Sequence, residues 1–333
     1  MRSTKSLSWI SETAGRLLGF GPVAPPPHVF ALDRSALRYA AFGRDGAGLR
    51  LQDWQAVELA PDAFHAGPLG GPLKDPETIR LAIAALRARA VAPPREAALV
   101  VPDGWLRLVF TEVGDLPKAG ESRDEVLRWK LKRLVPFRVD ELRLAGVEVA
   151  PLPGQGEAHR VLMGFAVEAL VAQLEEAFAA EGVRIGHLSN PSLSLLQALR
   201  RGPALQGGGL AAVALAGDDG WSLTLARDGE PLLHRYKPAD GALPDGARAG
   251  FVTRDLRLTA TFLDEHLGGE RPRRVLVVAP PELEGRWLGW FESGLGTPAE
   301  ALRPEHLPLQ AGALVPAWRD AAALLGAACA EVR

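Results

Sequence analysis

The sequence holds a single cysteine, Cys329, in 333 residues, which excludes a disulfide framework and any metal site built on paired thiolates. It has almost no net charge: 38 Lys and Arg against 40 Asp and Glu leave −2, so no global positive field draws the chain to nucleic acid. No apolar run approaches the ~20 residues that cross a bilayer as a helix. The N-terminus also lacks the continuous apolar stretch and cleavage site of a secretory signal. Those absences together predict a cytoplasmic protein. Catalytic signatures are equally scarce. The seven histidines, at 28, 65, 159, 187, 234, 266 and 306, share no HExxH-type spacing, and there is no GxSxG elbow and no Walker A loop. Gly19 and Gly21 precede a proline-rich stretch rather than a helix, so they form no dinucleotide fingerprint. What is present is the composition of a folded protein, 47% hydrophobic and 23% charged, with length for two or more cores.

Residues 1–27 stand apart. In SLSWISETAGRLLGF, Leu7, Ile10, Ala14 and Leu17 recur at helical spacing with Arg2, Lys5 and Arg16 nearby, and the stiff PVAPPP linker follows. This amphipathic segment reads either as an anchor on a membrane or partner, or as a tail that packs back on the domain. HVFALDRSALRYAAF predicts two strands about a tight connection, with GLRLQDW as a third. Asp75 and Pro76 predict the start of a helix over 75–90. The stretches 96–101 and 105–113 read as a strand pair, LRLAGVEV and HRVLMGFAV as strands, and 168–181 and 192–201 as helices. QGGG at 206–209 is the natural joint. The second half restarts with LAAVAL, WSLTLARDG and EPLLHRYK, where Asp228-Gly229 signals a hairpin turn. Helices over 249–267, 283–293 and 317–330 and a buried strand over 273–279 complete it. Each half opens with a strand meander and then turns α/β.

The stretch DEVLRWKLKRLVPFRVDEL, residues 124–142, is dense in Arg and Lys. On a helix, Leu127, Leu131 and Leu134 fall within about 60° of one another and form a core stripe. Trp129 lies roughly opposite them, which predicts a second surface to cover it. No second basic helix or stacking motif accompanies this one, so nucleic acid is not the expected partner.

With these elements in place the sequence resembles the PilM family of type IV pilus assembly proteins, relatives of FtsA and of the cytoplasmic domain of GspL. The resemblance rests on Asp75-Pro76-Glu77, Val101-Pro102, Leu116-Pro117, Trp129, Pro136-Phe137 and Asp140-Glu141, with weaker matches running in order over residues 28–333. It implies an α/β, actin-like (FtsA/PilM-type) two-lobed fold with a 1C insert and a reduced 2B subdomain. The implied divisions are a tail over 1–27 and subdomain 1A over 28–118, to which 184–206 and 318–333 return. Subdomain 1C follows over 119–183, and a second lobe of 2A and shortened 2B over 209–317. The implied job is that of a cytoplasmic scaffold, peripheral at the bacterial inner membrane, in the platform that serves twitching motility. The implied partners are a PilN-like bitopic membrane protein, other platform components and the motor ATPase, with membrane contact through residues 1–20. The PilN-type peptide would lie between the 1C helix and the strands near 96–112, against Arg128, Trp129, Lys132, Phe137 and Arg138.

The same resemblance locates three nucleotide loops, and the sequence departs at each. The first reads Leu32-Asp33-Arg34-Ser35-Ala36, shorter than the family's and without its glycine. The second falls on Val213–Leu223, where Leu215 replaces an acid and Asp218 and Asp219 follow Gly217. Those two carboxylates would repel a phosphate unless a cation intervened. They read otherwise as a solvated turn. In the adenosine element, Pro280-Pro281 replaces glycines. Only about 35 residues separate the second hairpin from the strand at 273, too few for a full 2B. The degenerate site Asp33, Ser35, Gly217, Asp218 and Asp219 therefore predicts no catalysis and no ATP or Mg cofactor. Two alternatives stay open: an active ATPase or phosphotransferase using Asp33 and Gly217, and a GspL-like type II secretion platform component.

Overall fold

The computed structural model describes residues 27–33, 35–45, 48–60, 63–64, 73–118, 120–154, 158–217, 220–238, 245–309 and 318–329. The tail over 1–26, Arg34, Asp218 and Asp219 lie outside them.

The first sheet begins with an antiparallel meander, β1 (His28–Leu32), β2 (Ala36–Asp45) and β3 (Gly48–Glu58). Helix α1 (Pro76–Arg89) then carries the chain over the sheet. Asp75 caps it by accepting the Glu77 amide at 3.1 Å, and Pro76 takes the first turn, where a missing N–H costs nothing. Next come β4 (Glu96–Val100), parallel to β1, and β8 (Arg184–Ser189), parallel to β4, giving the order β3-β2-β1-β4-β8. The second sheet repeats the plan. β9 (Leu210–Gly217), β10 (Gly220–Arg227) and β11 (Glu230–Pro238) form the meander, with β12 (Arg274–Val278) and β13 (Ala299–Ala301) added in parallel, in the order β11-β10-β9-β12-β13. Asp228 and Gly229 both take positive φ at the β10–β11 turn, as the sequence predicts.

The third sheet has three antiparallel strands, β5 (Arg107–Val113), β6 (Leu142–Val149) and β7 (His159–Val167), in the order β5-β7-β6. This corrects the expected pairing of 96–101 with 105–113. β1 and β8 already occupy both edges of β4, so β5 must find its partner elsewhere. The three-stranded unit thus begins at Arg107, inside the range expected to belong to the first sheet. Its helix, α2 (Glu121–Lys132), follows β5. α3 (Glu168–Ala180) follows β7 but packs on the first sheet, with Phe178 edge-on to Phe30 at 4.9 Å.

The layers follow from strand periodicity. Phe30 and Leu32 of β1 face α1 and α3, whereas Val29 and Ala31, which alternate with them, face the opposite side. On that opposite side lie α4 (Pro191–Arg201) and α7 (Trp318–Cys329), and beyond them one face of the second sheet, with Val213 and Leu276. The far face of the second sheet is covered by α5 (Asp245–His266) and α6 (Glu284–Leu295). A single apolar cluster therefore runs through both lobes. At its centre α7 crosses α4 with no room for a side chain, because a Cβ on Gly326 would fall 1.5 Å from the Ser194 carbonyl oxygen. Among the described residues α5 is the one helix between β11 and β12, consistent with the short 2B expected.

Candidate functional site

The lobes enclose a cleft of about 640 Å³. All three loops singled out in the sequence reach it: Asp33 and Ser35 from the β1–β2 turn, Gly217 from the end of β9, and Ala279-Pro280-Pro281 after β12.

Asp33 is already satisfied by its own turn. Its Oδ1 accepts the Ser35 amide and hydroxyl, each at 2.7 Å, and the Ala36 amide at 2.9 Å, while Oδ2 accepts from Arg38. Burial pushes this carboxyl up, but the Ser35 donors and the Arg38 guanidinium outweigh it and hold it below the usual carboxylate range. Arg38 also reaches Asp320 of α7, Nε to Oδ2 3.5 Å. An arginine between two carboxylates thus fills the mouth of the first loop. Pro280 and Pro281 offer no backbone N–H to a ligand; the Pro280 carbonyl instead accepts the Leu283 amide at 3.0 Å at the start of α6. Glu284, next along, takes a forked contact from Arg303 at 2.8 and 3.0 Å and another from Arg319 at 3.0 Å, tying the second lobe to α7. Among the described residues, Asp33 and the two prolines offer neither the free carboxylate oxygen that a magnesium ion takes nor the N–H groups that a phosphate takes. Among the described residues no group of His, Cys, Asp and Glu is arranged to hold a metal ion.

Sequence reasoning missed the polar group at the cleft's floor. Asp103, 8% exposed, follows β4 and accepts the Ser192 amide at 3.4 Å, and the Ser192 hydroxyl meets that of Ser222 across the lobes at 2.6 Å. Burial pushes the Asp103 carboxyl up to about 6, although both serines pull it down. The one signal was Asn190-Pro191, the cap of α4, with Asn190 Oδ1 accepting the Leu193 amide at 2.9 Å.

Of the five residues expected to hold a peptide, Arg128 and Phe137 are half-buried and the other three are exposed. Leu127 and Leu131 are buried against the three-stranded sheet, which turns Arg128 and Trp129 different ways. Arg128 Nη1 donates to the carbonyls of Val139 and Leu142 at 2.9 and 3.1 Å, so it pins the chain that leaves the helix. Phe137 is half-buried beneath the Arg107 guanidinium, 6.0 Å away, which also lies 5.3 Å over the Tyr236 ring of the second lobe. Trp129, Lys132 and Arg138 point to solvent, and Arg138 pairs with Glu141 at 2.7 Å. Leu134, expected in the core stripe, is 48% exposed: the helix ends at Lys132 and the following turn swings Leu134 out. Trp129, expected under a second surface, is 53% exposed. The strands near 96–112 offer a peptide little room. β4 is paired on both sides, and β5 leans on the second lobe, where Arg160 stacks 4.3 Å from the Phe110 ring and donates to the Leu232 carbonyl.

No protein-family model matches the sequence, and no curated protein matches it. Solved structures do. The two repeated sheets around a central cleft are an actin-like ATPase fold. A protein of that fold and of unknown function from Bacteroides thetaiotaomicron superposes with a TM-score of 0.50 at 8% identity, over 84% of this chain and 91% of the other. The particular form is that of a chain in a PilM-PilN type IV pilus biogenesis complex, with a TM-score of 0.71 at 19% identity over 92% of this chain and 97% of that one. No described helix is long and apolar enough to cross a membrane.

Proposed function

We propose that this chain is a non-enzymatic platform protein of a bacterial type IV pilus machine, held at the cytoplasmic face of the inner membrane. In this reading it takes up an extended cytoplasmic segment of a PilN-like membrane partner and hands its position on to other platform components and the motor ATPase. The observation that carries it is the contrast between a retained actin-like fold and a cleft in which, among the described residues, the carboxylate of the first loop is spent on its own turn. Asp33 is bound by its own turn and Arg38, and proline stands where nucleotide-binding backbone would lie. The partner segment is assigned to the exit of α2, with the half-buried Phe137 as its apolar anchor and Arg138 at the rim, where charge mainly sets orientation and on-rate.

Calorimetric titration of the purified chain with Mg-ATP is expected to give no complex tighter than about millimolar, which is at most about −4 kcal/mol. A micromolar complex would restore the ATPase alternative. Co-purification with the membrane protein encoded beside it identifies the machine, a GspL-type secretion partner being the competing result. Phe137→Ala should then weaken capture by about 2 kcal/mol.

A further inference from the structure

The outer face of α2 is not used by that reading. Leu127 and Leu131 fix the helix to its sheet, so the opposite face, with Trp129 near its end, points directly away from the body of the protein. Trp129 is more than half exposed, where a tryptophan is ordinarily well covered. The Arg133 guanidinium lies 4.8 Å and the Lys130 ammonium 5.4 Å from its ring centroid. Lys132 is exposed beside them, and Leu134 completes the patch on the turn that follows. Among the described residues Lys130, Lys132 and Arg133 form no ion pair, in contrast to Arg138, which Glu141 neutralises. The carboxylates of the helix gather at its other end, Glu121 and Asp124 in the first turn, with Glu125 one turn before Trp129.

Three cations without an ion pair among the described residues thus surround an indole, with a leucine at the tip, on the outer face of a helix whose own backbone is already hydrogen-bonded. That combination is complementary to an anionic bilayer. The indole suits the headgroup layer, the cations suit lipid phosphates, and the leucine suits the edge of the acyl region. We propose that the C-terminal turn of α2 is a membrane-contact surface for anionic lipid, formed by Trp129, Lys130, Lys132, Arg133 and Leu134. Each cation near such a surface is worth roughly a fivefold change in partitioning, so three give a reversible contact that orients the protein on the membrane rather than anchoring it.

The test is sedimentation of the full chain with vesicles of phosphatidylethanolamine and phosphatidylglycerol, and separately of phosphatidylcholine. Binding is expected to the anionic vesicles only and to weaken as salt is raised. Lys130→Glu with Arg133→Glu should lower the partition coefficient at least about thirtyfold while leaving the thermal midpoint in place. The difference in fluorescence between the parent and Trp129→Ser should shift to the blue on adding anionic vesicles. Binding by the double variant equal to that of the parent would overturn the proposal and assign the contact to residues 1–20. Retained vesicle binding with loss of a co-purifying protein would overturn it in favour of a protein partner. Neither result depends on where the partner segment lies, because Phe137 is untouched.

Discussion

The two five-stranded sheets are built to one plan and differ at one junction. In each, a three-stranded meander is followed by a helix, a parallel strand, a helix, a second parallel strand and a closing helix. The chain passes straight from β12 to α6, but between β4 and α3 it makes the whole three-stranded unit with α2. The insertion is tolerated because β4 ends at the cleft, where the chain can leave without breaking a layer. The closing helices allow no such freedom, since α4 and α7 pack on each other and on both sheets in one apolar cluster. The lobes therefore share a core, while the inserted unit has a cluster of its own, around Leu127, Leu131, Val161 and Met163.

The sharpest way to break that comparison is at the crossing of the closing helices. Gly326→Ala drives a methyl into the Ser194 carbonyl and should cost about 3 kcal/mol or more, because backbone must move. Urea denaturation should show one transition moved to lower concentration. Two separated transitions would mean the lobes fold independently despite their common cluster.

A smaller effect separates the two acids of the cleft by the sign of their pH dependence. Asp103 keeps its proton in the folded state up to about pH 6, whereas the unfolded chain releases it near 4. Its contribution to stability therefore falls as pH rises through that window, by about 3 kcal/mol in all, and Asp103→Asn should flatten that fall. Asp33 behaves in the opposite sense. Its folded carboxyl is held below the usual range, so its contribution is present above the ordinary carboxylate pKa and is lost as pH falls through the folded value. Asp33→Asn should weaken the protein at neutral pH and leave it little changed in acid, as thermal melts at successive pH values would reveal.

The smallest effect is expected on the outer face of α2, in contrast to its buried face. Leu131→Ala empties a fully buried position and should cost about 2–5 kcal/mol, whereas Trp129→Ala, on the exposed face, should change stability by less than about 0.5 kcal/mol. A large loss at Trp129 in equilibrium unfolding would mean that it packs a seam.

The helices and most strands were legible because their signals are local. Asp75 and Pro76 announce α1, Asp228-Gly229 closes a hairpin, and the spacing of Leu127 and Leu131 turns α2 toward its sheet. The three loops that meet in the cleft were also visible, through the family resemblance, although Arg38 was not seen as the group that fills the first of them. What the sequence could not decide was which segments distant along the chain would meet. Pairing of β5 with β7 depends on β1 and β8 having taken both edges of β4, and no property of residues 107–113 records that. The same holds for the contact of Ser192 with Ser222, for Arg128 finding the carbonyls of Val139 and Leu142, and for the glycine that α7 must place against α4. Periodicity and turn chemistry act over a few residues and fix the elements. Strand edges, helix crossings and buried polar partners are settled only when those elements compete for the same space.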